Sequence, residues 1–160
     1  MDDLGFSSGA EFVTAIQEAQ ASGIPVVLGD QPVKKTLRRL SEALSETDLV
    51  AFINAPEPPG FAKLLEENGG GSMGTKEEVG KMVEVLKTRS VVDEITGYLR
   101  ETAPKLYAAL LGERDAYLAN SLLSADADGV VAVVGMAHMT GIETRLRAAG
   151  FEPAGGRCPR

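Results

Sequence analysis

The sequence predicts an α/β fold that is helix-rich, with a small sheet flanked by helices. Three observations carry that prediction. The β-branched run Val130-Val-Ala-Val-Val134, closed by Gly135, reads as a buried strand followed by a tight turn. A second apolar run, Ile24-Pro-Val-Val-Leu28, reads as a short strand whose proline places it near a strand start or an edge. Between and around these runs the apolar residues recur at helical spacing, so the two strands are expected side by side in one sheet. A sheet of two strands is marginal alone, and its exposed edge is expected to allow self-association.

The helices follow in order. Phe12, Ala15, Ile16 and Ala19 give one apolar side over about residues 9–22, with Ser7 or Ser8 as cap and Gly23 as terminator. Gly29-Asp30-Gln31-Pro32 is a turn, and Pro32 opens a helix whose apolar face is Val33, Leu37, Leu40 and Leu44. Pro56-Glu-Pro-Pro59 breaks the pattern, a short helix is expected over Phe61 to Glu67, and Asn68-Gly-Gly-Gly-Ser72 is a loop. Thr75-Lys-Glu-Glu78 supplies a capping box for a helix carrying Val79, Met82, Val83 and Leu86. Ser90 caps the next, with Val91, Ile95 and Leu99 on its face and an interruption at Pro104. A helix is predicted over about Glu113 to Ser124, and another from Ile142 to Ala149, closed by Gly150.

Bulk properties narrow the function classes. The chain has 160 residues, most simply one domain, and a formal charge of −7, which argues against a nucleic-acid or anionic-membrane surface. The strongest apolar run falls far short of the roughly 18–20 residues that cross a bilayer. No basic segment precedes an apolar one at the amino terminus, so no secretory signal is predicted. Cys158 is alone, which excludes a disulfide framework and favours an intracellular reducing compartment.

The chemistry centres on His138, the only histidine. It follows a predicted strand end, where open α/β sheets place ligands, and imidazole serves both as metal ligand and as acid–base group. Its candidate partners are Glu11 and Asp30, with Asp115 behind them. Carboxylates suit Mn or Co, and Zn also accepts a mixed His and carboxylate set. Each residue has a plainer role. Glu11 sits in a first helical turn, where a carboxylate favours the helix dipole. Asp30 fits a turn or cap, Glu113-Arg114-Asp115 a solvated helix start, and His138 a hydrogen-bonded turn. Arg38, Arg39 and Arg114 are suited to a carboxylate or phosphate, though Lys34, Lys35, Arg38 and Arg39 together also read as a solvated helix face. Gly69-Gly-Gly71 and Gly135 lack the lysine of a phosphate loop, and neither Ser72 nor Ser124 has a histidine near it in sequence.

Val133-Val-Gly-Met-Ala-His138-Met-Thr-Gly-Ile142 resembles the carboxyl-terminal signature of the TraB/PrgY/GumN (pheromone shutdown) family. Three further segments resemble that family in the same order: Gly9-Ala-Glu11, Gly29-Asp30-Gln-Pro-Val-Lys-Lys-Thr-Leu-Arg-Arg39, and Glu113-Arg114-Asp115-Ala-Tyr-Leu118. The resemblance implies an erythromycin-esterase/ChaN-like fold and a metal-dependent, peptidase-like hydrolytic site. Carried over, His138 and Glu11 are catalytic groups and metal ligands, Asp30 a third ligand, and Arg39 and Arg114 orienting or anion-binding groups, with Mn, Co or Zn as the metal. The family's earlier Gly-x-x-His block has no counterpart here, and Gln31 stands where the family has arginine. Residues 1–152 are therefore expected to form the later part of the domain, with 153–160 a tail. The alternative function is a non-catalytic, protein- or membrane-associated interaction or regulatory domain that binds a peptide or protein.

Overall fold

The computed structural model describes residues 9–56 and 88–152, and these are helical throughout their regular structure. The elements are α1 (Ala10–Ala21), α2 (Val33–Glu46), α3 (Leu49–Ile53), α4 (Arg89–Thr102), α5 (Pro104–Tyr107), a π-turn (Ala108–Gly112), α6 (Glu113–Leu123) and α7 (Met136–Ala148). The helices expected over 61–67 and from Thr75, and the 153–160 tail, lie outside the described residues.

The expected sheet is not there. Residues 24–28 and 130–135 carry no regular secondary structure, and no strand and no backbone ladder joins them among the described residues. The physical reason is that β-branched, apolar composition specifies an extended backbone, whereas a strand also needs a neighbour to accept its ladder. Their side chains are not buried as a sheet core requires: Leu28 is 85% exposed and Val131 93%. The α/β class, the erythromycin-esterase/ChaN-like sheet and the proposed self-association through a sheet edge are thus corrected for the described residues, which present an all-helical arrangement.

Local chemistry explains the helices. Gly9 takes φ 86° at the start of α1, and Gly23 takes φ 67° just after it, conformations glycine adopts without a Cβ penalty. Asp48 caps α3, accepting from the amides of Val50 at 3.1 Å and Ala51 at 3.0 Å. Pro104 ends α4 and opens α5, the first-turn position where its missing N–H costs nothing. From Pro104 to Leu123 the chain is one continuous helical rod interrupted by the π-turn, which shifts the register of the following helix.

The core is built of small residues. Ala43, Ala103, Leu106 and Ala109 are buried together, with Leu40, Phe52 and Leu99 packed against them. Alanines let α2 approach the α5 and π-turn rod closely. The buried side of α2 is therefore the Leu40 and Ala43 side, while Val33 and Leu37 of its predicted face remain exposed. α7 lies along α6 and also packs on α4. Arg89 on α4 donates to Glu143 on α7 at 3.0 and 2.7 Å, and Thr140 on α7 donates to Asp93 on α4 at 2.7 Å. α1 buries no side chain among the described residues.

Candidate functional site

The site lies where α6 meets the first half of α7. Gly135 takes a β-region conformation and caps α7, which begins at Met136. The helix therefore starts before His138 rather than after it, and the His138 amide donates to the Gly135 carbonyl at 2.9 Å. Gly-x-x-His is in this chain the first turn of a helix, with the imidazole directed at α6.

Its partner there is Asp115. The two carboxylate–imidazole atoms, Asp115 Oδ1 and His138 Nδ1, are 2.6 Å apart, and both residues are buried. Asp115 is 1% exposed, the largest side chain buried to that degree among the described residues. A carboxylate so placed needs partners, because burying an unpaired charge costs several kcal/mol in practice, about what breaking a buried pair costs. Arg145 supplies countercharge: its Nη1 is 3.9 Å from Asp115 Oδ2, and its guanidinium is fixed by donating to the carbonyls of Gly141 at 2.9 Å and Gly112 at 3.0 Å. Gly112 closes the π-turn, so the same arginine ties that irregular turn to α7. Bonded through Nδ1 to an acceptor, the imidazole presents Nε2 as its free nitrogen.

Asp30 forms the neighbouring layer. Its carboxylate accepts from Arg114 Nε at 3.2 Å and Nη2 at 2.5 Å, and from the Gln31 amide at 2.6 Å. The Arg114 hydrogen bond holds the Asp30 carboxyl below its ordinary value; partial burial opposes this, the Gln31 amide and the Arg114 charge reinforce it, and the His138 charge adds a smaller pull. Arg114 is correspondingly raised by the same bond. Gln31 is buried and donates from Nε2 to Thr36 Oγ1 at 3.1 Å.

The other predicted site residues fall farther out. Arg39 donates to Glu113 from Nε at 2.9 and 3.1 Å and from Nη2 at 2.7 Å, and from Nη1 to Glu42 at 2.5 Å. That pair clamps α2 to α6 and lowers the Glu113 carboxyl, chiefly through the hydrogen bond from Arg39. Glu11 is exposed on α1 and makes no hydrogen bond or ion pair among the described residues. The structure thus pairs Asp30 with Arg114 within electrostatic reach of His138, sets Arg39 on the α2–α6 seam, and leaves Glu11 without a polar partner among the described residues.

The described residues do not assemble a metal ligand set. No group of three or more His, Cys, Asp or Glu side chains converges among them, and both Asp30 oxygens are already engaged by Arg114. His138 Nε2 is a suitable single donor, but a catalytic metal site needs about three protein ligands.

Sequence reasoning placed Asp115 behind Glu11 and Asp30. The signal that locates it is register. Asp115, Leu118, Ala119 and Leu122 share one helical stripe, so Asp115 occupies a position on an otherwise apolar face.

No solved structure matches this chain. A relative, an uncharacterized protein of Methanocaldococcus jannaschii, is 28% identical over 150 residues, covering 91% of this chain and 34% of that protein. The chain therefore spans about a third of the curated relative it matches. No helix among the described residues is long and apolar enough to cross a membrane. The sequence profile of the TraB/PrgY/gumN family matches residues 7–154, nearly the full chain, which gives no support to the expectation that only the later part of the domain is present. By that match, the chain belongs to the TraB/PrgY/gumN family.

Proposed function

We propose that this TraB-family chain contributes the acid–base half of a hydrolytic site acting on a peptide-like acyl bond, with His138 as the working imidazole and Asp115 as its orienting carboxylate. The observation behind this reading is the buried 2.6 Å Asp115–His138 pair. A carboxylate on Nδ1 fixes the tautomer and stabilises the imidazolium that forms when Nε2 takes a proton. In hydrolysis, Nε2 accepts a proton from water as its oxygen adds to the acyl carbon, then returns that proton to the leaving nitrogen as the C–N bond breaks. The Asp30–Arg114 pair lies within electrostatic reach of the imidazole. A divalent metal (Mn, Co or Zn) would need ligands beyond those described, so no step is routed through one. A reducing intracellular compartment remains part of the proposal, from the lone Cys158.

The test is turnover of a fluorogenic peptide library by the chain, Asp115→Asn and His138→Ala, alongside calorimetric titration with each metal. Both variants should lose about 10²–10⁴-fold in rate. Weak metal binding by the unaltered chain is expected. Activity unchanged in either variant overturns the acid–base role, and tight binding abolished by His138→Ala shows a metal centre instead.

A second reading, a non-catalytic domain that binds a protein partner, is favoured by the exposed apolar side chains of Val26, Val27, Leu28, Val130, Val131 and Val133. Absence of turnover in the unaltered chain would favour it.

A further inference from the structure

Gly141 lies mid-helix in α7, one turn after His138, where glycine is unfavourable by roughly 1 kcal/mol relative to alanine. A glycine kept in a helix interior has a packing reason. Here the reason is Asp115. A Cβ built on Gly141 would overlap Asp115 Oδ2, and would lie 2.5 Å from its Cγ and 3.1 Å from its Cβ. The neighbouring glycine of the same motif differs: a Cβ on Gly135 would make only an ordinary 3.7 Å contact with His138.

We infer that Gly141 is a positioning residue of the site: its missing side chain is the space that the Asp115 carboxylate occupies while it holds His138 Nδ1. The carboxylate has nowhere else to go. Asp115 is buried, and the Arg145 guanidinium closes the Oδ2 side, itself pinned to the Gly112 and Gly141 carbonyls. A methyl group at position 141 therefore forces Asp115 off the imidazole or α7 off α6. Either movement breaks the bond that fixes the tautomer, and releases the ring to the Nε2–H form that an unconstrained imidazole prefers in water. Gly141 thus acts on the chemistry through Asp115 without touching a reacting atom. The inference rests on the reading of Asp115–His138 as the working pair, but its test reads geometry and not turnover, so a failed hydrolysis assay and a failed test here are separate results.

Because His138 is the only histidine, a long-range proton–nitrogen spectrum of the whole chain contains a single imidazole pattern. At about pH 9, above the ordinary imidazole range, the unaltered chain should show the Nδ1–H tautomer. Gly141→Ala should shift the pattern toward Nε2–H and lower Tm by about 3–10 °C. Gly97→Ala, a helix glycine whose Cβ would meet no described atom within 4 Å, should leave the pattern as it is. Adding Asp115→Ala should remove the Tm penalty of Gly141→Ala, because the obstructing carboxylate is gone. If Gly141→Ala alone does not fold, recovery of folding in the double variant supports the inference, and a double variant that stays unfolded where Asp115→Ala alone folds overturns it. An unchanged imidazole pattern in folded Gly141→Ala, or an equal Tm loss in both backgrounds, also overturns it.

Discussion

Asp30 is paired with the permanent guanidinium of Arg114 through two hydrogen bonds. Its carboxyl is held below the ordinary 3.8, first by the Arg114 hydrogen bond. A depressed folded value means that the stabilisation is fully present above the unfolded value and disappears as pH falls through the folded one. Asp30→Asn should therefore cost about 0.5–1 kcal/mol at pH 7, a figure reduced for solvent screening because the pair is partly exposed. Urea unfolding should show the difference shrinking below about pH 4, and a gap that persists undiminished in acid would remove the charge from the explanation. At this scale the sequence marked His138, Asp30 and Arg114 as candidates, because their residue types and local motifs suit chemistry. Asp115 was obscured by its neighbours. Glu113 and Arg114 beside it look like a solvated helix start, and only the 3.6-residue register, shifted by an unforeseen π-turn, shows that it points inward.

Helices are elements that close their own hydrogen bonds, which is why their periodicity could be read from local sequence. The spans of α1, α2, α4 and α6 follow apolar spacing and Pro104 to within a few residues, but none of the four has a side-chain cap hydrogen bond, and Ser90, expected to cap α4, lies within its first turn. Strands complete their bonding elsewhere in the chain, so the apolar runs at 24–28 and 130–135 could suggest strands from local sequence without supplying the partner that a strand needs. The start of α7 was missed for a related reason: Gly135-Met-Ala looked like the turn leaving a strand, and Gly141 looked like a boundary where it is a packing requirement. The two interpretations of residues 130–134 differ in energy. In a buried strand, Val131→Asp would place a charge in an apolar sheet and cost several kcal/mol. With Val131 93% exposed, it should stay within about 0.5 kcal/mol of the unaltered chain in chemical denaturation. A loss above about 2 kcal/mol, the scale of burying an unpaired polar group, would restore the buried strand.

Among the described residues, most buried side chains lie on the rod from Pro104 to Leu123 and on the helices packed against it. The rod from Pro104 to Leu123 meets α2 through the alanine-rich core and α7 through Asp115, His138 and Ile142, while Arg39–Glu113 and Arg89–Glu143 tie the outer faces. α1 shares none of this. It has 12 residues and buries no side chain among those described, and an isolated helix below about 12–15 residues is marginal in water. Amide hydrogen exchange should therefore be graded, with α1 exchanging at least about 100-fold faster than the centres of α6 and α7, which open only with larger units. The same gradient bears on function. Glu11 belongs to α1, and on a helix that exchanges this fast a carboxylate would have no fixed geometry toward His138, whereas Asp115 is held by its 2.6 Å bond to the imidazole. Protection of α1 equal to that of α6 would mean that α1 is anchored by contacts outside the described residues, and would return Glu11 to the site as a positioned carboxylate.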